Sequence, residues 1–111
     1  MFAIGLSSMR SDTVLFAKAI SDATRQKIMG IVCCRWLSVN EVVAKLDVSQ
    51  PTVSHHLAIL REAGLVDVRE DGKQTFYTLN QEHVSYCCGQ LMIKFAPEEQ
   101  TTLAISKAFS N

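Results

Sequence analysis

The sequence has no net charge: eleven Lys and Arg balance eleven Asp and Glu, and the pI lies near 6.8. Without a global basic field, charge alone neither marks nor excludes a nucleic-acid partner, and any anion-binding potential has to be local. No stretch approaches the roughly 18 to 20 consecutive apolar residues that cross a bilayer. The brief apolar run from Met1 to Ser8 lacks a basic leading region and is too short for a signal peptide. A cytoplasmic protein without a membrane partner is therefore expected. Cysteine numbers only four, set as two adjacent pairs, Cys33-Cys34 and Cys87-Cys88. There is no Cys-x-x-Cys framework, which argues against a structural zinc site, and in a reducing compartment the thiols stay free. Internal repeats, low-complexity segments and long linkers are also missing.

What is present is one chain of 111 residues, 48% hydrophobic, read as a single domain over 1–111. It is long enough for a core and small enough for dimerisation to supply much of its stability. The chain is organised around Ser49-Gln50-Pro51-Thr52-Val53-Ser54-His55-His56-Leu57-Ala58-Ile59-Leu60. Ser49 is a good N-cap, and Pro51 sits in the opening turn, where its missing N–H costs nothing. Val53, Leu57 and Leu60 recur at helical spacing as an apolar stripe, while Thr52, Ser54, His55 and Ala58 point the other way. Short hydroxyls and an imidazole near a helix N-terminus can enter a major groove and meet base edges. The plainer alternative is a solvated surface helix, which would usually carry Lys and Glu there.

The flanks favour the first reading. Ser38-Val39-Asn40-Glu41 is a capping-box pattern that opens a short helix through Val42, Val43 and Leu46, ended by the turn Asp47-Val48-Ser49. Downstream, Gly64 suits a left-handed C′ position, and Leu65 to Glu70 and Gln74 to Leu79 bracket Asp71-Gly72-Lys73 as a hairpin. Upstream, Asp12 to Ile20 reads as a first helix. Asp22 caps a second one that runs through Cys34, with Ile28, Ile31 and Val32 facing a core and Trp36 closing its end. Asn80 caps a later helix on which Val84, Cys87, Cys88, Leu91 and Phe95 share a face. Pro97-Glu98-Glu99 starts a weakly amphipathic tail helix with Leu103, Ile105, Ala108 and Phe109. The expected class is mainly α with a small β-hairpin.

The run from Ser49 to Leu57, followed by Leu60-Arg61-Glu62-Ala63-Gly64-Leu65-Val66, resembles the ArsR/SmtB family of bacterial winged-helix repressors, and Asp22-Ala23-Thr24-Arg25 resembles its second-helix entry. The likeness spans roughly Phe16 to Phe95. It implies a dimeric winged helix-turn-helix domain with N- and C-terminal dimerisation helices, a double-stranded operator as partner, and release by a metal ion, an arsenical or a thiol oxidant. The family motif places DNA contacts at Gln50, Thr52, Ser54 and His55, with Lys73 and Gln74 at the wing. Local positive potential would come from Lys73, Arg69, Arg61 and the helix N-terminus at Gln50. Glu70 and Asp71 dilute it. His56, beside Val53 and Leu60, is expected to pack at the core edge. Ile59 projects off the stripe and is expected against a neighbouring element.

The family's usual inducer sites are missing. Its arsenic motif, Glu-Leu-Cys-Val-Cys-Asp-Leu, falls on Trp36-Leu37-Ser38-Val39-Asn40-Glu41-Val42, which has neither thiol. Of the site on the last long helix only His83 stands in register, with Gln81, Lys94 and Pro97 at the other ligand positions. What remains is thiol chemistry at Cys33, Cys34, Cys87 and Cys88. No cofactor is required, and arsenite or another soft metal ion is the expected inducer, three thiolates being what a trivalent arsenical prefers. The alternative is an inter-helix disulfide or persulfide switch. In redox members the two thiols match Gly30 and Ala96 here; Cys33 and Cys34 follow Gly30 by about a turn and Cys88 precedes Ala96 by about two, and with antiparallel helices, a geometry taken from the family resemblance, those shifts move together and would let the pairs converge. Cysteine as a small buried filler is the plainer reading, and the His83–Cys87 spacing alone is weak. An enzyme is not expected, because no third group or oxyanion-forming loop accompanies Cys with His83 or Ser54 with His55. A winged-helix protein-interaction module without DNA binding is the remaining rival.

Overall fold

The computed structural model describes residues 12–109, so the apolar run from Met1 to Ser8 lies outside the described residues. Helix α1 covers Asp12–Ile20 and α2 covers Ala23–Ile31. Asp22 caps α2, its carboxylate accepting from the Arg25 N–H at 3.0 Å. The second helix stops at Ile31 and not at Cys34. Val32 leaves helical geometry and Cys34 has φ 73°, so the chain turns away. The Val32 carbonyl, which a continuing helix would have used internally, instead accepts from Leu79 N–H at 3.1 Å and the Thr78 hydroxyl at 3.2 Å.

Past that turn, Leu37–Ser38 forms a short strand, β1, that local pattern did not signal. Ser38 then caps α3 (Val39–Val43) through a complete capping box: its hydroxyl accepts from Glu41 N–H at 3.2 Å, and its own N–H donates to Glu41 Oε1 at 2.8 Å. The helix is shorter than expected, because Lys45 and Leu46 bond three residues back, to Val42 and Val43, and tighten the chain before Leu46 can join it.

Helix α4 spans Gln50–Glu62 and buries Val53, Leu57 and Leu60 completely. Its end is a Schellman closure: Gly64, at φ 76°, donates to Arg61 O at 2.9 Å, and Leu65 donates to Leu60 O at 2.9 Å. Leu65 therefore finishes the helix, and strand β2 runs Val66–Asp71. It pairs antiparallel with β3 (Gln74–Leu79), with Asp71 opposite Gln74. Asp71 belongs to the strand, and the turn is the two residues Gly72 and Lys73, with Gly72 at φ 65°. The sheet has the order β1-β3-β2, three strands where a hairpin was expected.

Asn80 caps α5 (Gln81–Phe95), its side chain accepting from His83 N–H at 2.9 Å. The helix packs against α1 and against α6 (Gln100–Phe109). Within the chain only part of the expected stripe is covered, Val84, Cys87 and Leu91 packing on the core. Cys87 is buried, but Cys88 is exposed and Phe95 is 75% exposed. Cys87 and Cys88, about 100° apart around the helix, stand at opposite edges of that stripe, and the Cys87 edge is the one that meets the core. In α6 the inward residue is Thr102, whereas Leu103 is 55% exposed. Among the described residues no helix is long and apolar enough to cross a membrane. Truncating Leu57 to Ala should cost about 2–5 kcal/mol in urea unfolding, the range for a fully buried Leu, and Ser38→Ala about 0.5–2 kcal/mol through loss of the cap.

Candidate nucleic-acid interface and thiol pairs

The opening of α4 is fixed by Ser49, whose hydroxyl accepts from Thr52 N–H at 3.4 Å and lies 2.9 Å from Thr52 Oγ1. Thr52 is thus tied to the cap, with its side chain half-buried. On the side away from the buried stripe, Gln50 and His55 are exposed and Ser54 is half-buried. The four side chains proposed to meet bases therefore lie on the first two turns of one helix.

His56 takes the opposite role. An Arg25 guanidinium nitrogen stands 3.1 Å from its Nδ1, and the Asp22 carboxylate 3.8 Å away. A guanidinium can only donate, so in this contact Nδ1 is the acceptor. Arg25 is itself anchored by Nε donating to Ala19 O at 2.6 Å and by a terminal nitrogen donating to Lys18 O at 3.2 Å. This clamp joins α4 to the start of α2 and the end of α1. The sequence reading placed His56 at the core edge but missed Arg25 as its partner, since nothing local links residues 31 apart. Ile59 is half-buried against the core, which accounts for its direction.

On the wing, Lys73 and Gln74 are exposed at the turn. Arg69 is exposed too, but its guanidinium carbon lies 4.5 Å above the centre of the Trp36 ring. That cation–π contact holds Arg69 at the base of the sheet, where its edge donors remain available. Exposed Glu70 and Asp71 sit beside it.

The thiols divide into separate settings. Cys33 and Cys34 occupy the turn after α2, with sulfurs 3.1 Å apart, and Gln81 Nε2 donates to Cys34 Sγ at 3.5 Å. The hydrogen bond with Cys34, then burial, raises the Cys33 thiol above its ordinary pKa. Cys87 faces inward, 3.6 Å from His83 Nε2 and donating to the Asp12 carbonyl at 3.9 Å. Burial, then the charges of Asp12 and Cys88, push its pKa up. The His83 ring lies against Gly64, where a Cβ would come within 3.2 Å of it. Within one chain the expected convergence of Cys33, Cys34, Cys87 and Cys88 is not seen. Among the described residues no three His, Cys, Asp or Glu gather as a metal site. The physical reason is the early end of α2: it puts the first pair on a turn beside Gln81, while Cys87 points into the α1 contact.

Residues 22–68 match the family model for bacterial regulatory proteins of the arsR family. The chain is 37% identical over 90 residues to the biofilm growth-associated repressor of Agrobacterium fabrum, covering 80% of this chain and 77% of that protein. Among solved structures, reduced HlyU from Vibrio cholerae superposes with a TM-score of 0.61 at 30% identity, over 83% of this chain and 96% of that one. An ArsR-like regulator from Rhodococcus reaches a TM-score of 0.72 at 21% identity, over 94% and 97%, a likeness of fold.

The exposures and pKa directions order the thiols by reactivity. Limited alkylation read residue by residue in a mass spectrometer should label Cys34 and Cys88 first and Cys87 last. Because the raised pKa leaves Cys87 with little thiolate at neutral pH, its rate should climb about tenfold per pH unit up to that pKa.

Proposed function

The chain belongs to the ArsR family of bacterial regulatory proteins, and from that premise we propose that it is a transcriptional repressor that leaves its operator when a thiophilic inducer engages its cysteines. Members of the family regulate transcription, so the chain is a regulator and not an enzyme. The observation that carries the proposal is the two-sidedness of α4. One face is sealed by Val53, Leu57 and Leu60 and pinned through His56, and the other offers Gln50, Thr52, Ser54 and His55. These four would read base edges, while Lys73 and Gln74 would grip phosphates and Arg69 the backbone near the wing.

A homodimer suits this arrangement, because one short helix reads only a few base pairs and two-fold symmetry doubles the site. Apolar side chains left exposed on α1, α5 and α6 support it: Val14 at 50%, Tyr86 at 45%, Phe95 at 75% and Leu103 at 55%. The dimer would bind an imperfect inverted repeat in adjacent major grooves. For the inducer, soft sulfur ligands favour arsenite or a related thiophilic ion over harder divalent metals. The runner-up is an oxidant or persulfide that bridges one thiol of each pair. It requires Cα atoms within about 7 Å, and the separate settings of the pairs in one chain do not favour it.

Fluorescence anisotropy on the promoter DNA, across a salt series, tests the reading. His55→Ala should cost about 1–3 kcal/mol and relax sequence preference. Lys73→Ala should weaken all sequences alike and lower the salt slope by about 0.9. Sedimentation should find a dimer at micromolar concentration. A parent protein indifferent to every DNA would leave a protein-interaction module instead.

A further inference from the structure

Arg69 has two carboxylates close at hand in the sheet and uses neither. Asp67 and Asp71 stand two residues to either side of it on β2, so all three share one face of the strand. Among the described residues no carboxylate pairs with the guanidinium, and none of its five N–H donors is taken by an acceptor. Asp67 is held instead by Asn80, whose side-chain amide donates to it at 3.2 Å. What Arg69 touches is an aromatic face, its guanidinium carbon lying 4.5 Å above the centre of the Trp36 ring.

The sheet explains how that ring is reached. Arg69 pairs with Phe76, and Phe76 with Ser38, so the three lie in one row across β2, β3 and β1. Directly opposite residues share a face. In the next row Tyr77 and Leu37 turn to the core, which leaves the Arg69 row on the outer side. Trp36 comes two residues before Ser38 and falls on that outer side, at the far edge of the sheet. With β3 between them, β1 and β2 stand roughly 9–10 Å apart, twice the strand spacing. Arg69 therefore extends across the sheet to meet the ring, away from Asp67 and Asp71.

We propose that Trp36 is a positioning residue for DNA binding: it draws the Arg69 guanidinium off its two acidic neighbours and presents it, donors unspent, to a backbone phosphate at the base of the wing. A guanidinium lying over a ring keeps its donors along its edge, and a phosphate accepts two of them side by side. Paired with Asp67 or Asp71, the same side chain would bring DNA no net charge and fewer donors. Lys73 stands four residues further along the hairpin, about 13 Å of extended strand. The two cations therefore hold different phosphates, and their contributions add. The role in DNA binding rests on the repressor reading above, while the stack itself does not.

The 111-residue chain, titrated across a salt series with its promoter duplex and with a scrambled duplex of equal length, tests the role. Arg69→Ala should weaken both duplexes by the same factor, roughly three- to tenfold, and lower the salt slope by about 0.9, the share of one phosphate. Trp36→Leu keeps apolar bulk without an aromatic face and should lose as much. Trp36→Phe keeps a face and should stay within about twofold of the parent. Adding Arg69→Ala to Trp36→Leu should cost nothing more, whereas Lys73→Ala should cost the same with or without Trp36→Leu, the sign of a wing still folded. In the free protein, Arg69→Ala should change the emission of Trp36, the chain's one tryptophan. Losses at Trp36 and Arg69 that simply add, parental affinity in Trp36→Leu, or a Trp36→Phe as weak as Trp36→Leu overturn the positioning role and leave the repressor reading standing. A parent that binds neither duplex overturns both, and the emission change in Arg69→Ala would then report the stack alone.

Discussion

A helix that offers small polar side chains to a partner has to be immobile on its other face, and in this chain that constraint falls on α4. Three fully buried side chains, Val53, Leu57 and Leu60, fix its roll about its own axis. Apolar contact is non-directional and would tolerate sliding along the axis. The directional restraints lie at the ends and in the middle. Ser49 closes the first turn, the Schellman bonds through Gly64 and Leu65 close the last, and Arg25 meets His56 in between. Arg25 donates at 3.1 Å while the Asp22 carboxylate stands 3.8 Å from the same His56 nitrogen, so three residues from two helices meet at one point.

A second joint links the helical part to the sheet. The Val32 carbonyl ends α2 by accepting from Leu79 and Thr78, so the close of one helix and the anchoring of β3 are the same set of bonds. β1 pairs with β3 five residues later, and Trp36 between them carries Arg69 from the far strand. The turn and the wing therefore share their contacts, which the exposed hairpin tip does not.

What could be read from the sequence was what short-range chemistry decides. Asp22, Ser38, Ser49 and Asn80 all cap where their side chains suggested, since a cap and its amide lie three residues apart. Gly64 and Gly72 take positive φ for the same local reason. The misses were set by distant partners. The end of α2 depends on residues 78 and 79, and β1 is too short to show a period of two. The helical stripe from Val84 to Phe95 is spaced as expected, but spacing does not say that only its Cys87 side is covered within the chain. The exposure of Gln50 and His55 on the side away from the buried stripe was legible, because helical spacing places them there. The Arg25–His56 clamp was not, and neither was the closeness of the Cys33 and Cys34 sulfurs, which rests on one backbone angle.

The absence of net charge fits this architecture better than it first suggests. A strongly basic surface would bind any duplex through its phosphates, and discrimination would then have to be built against that background. Here basic groups are few and placed: Lys73 at the turn, Arg69 held over Trp36, and the positive end of α4 near Gln50, with Glu70 and Asp71 beside them. In the dimer proposed above, weak non-specific attraction would leave a larger share of affinity to the fit of two reading helices to their half-sites. Such a complex is sensitive to geometry, and a coupling of about 1.4 kcal/mol, a tenfold change in affinity, is within reach of a modest displacement. A regulator that held DNA mainly through charge would stay bound through such a displacement.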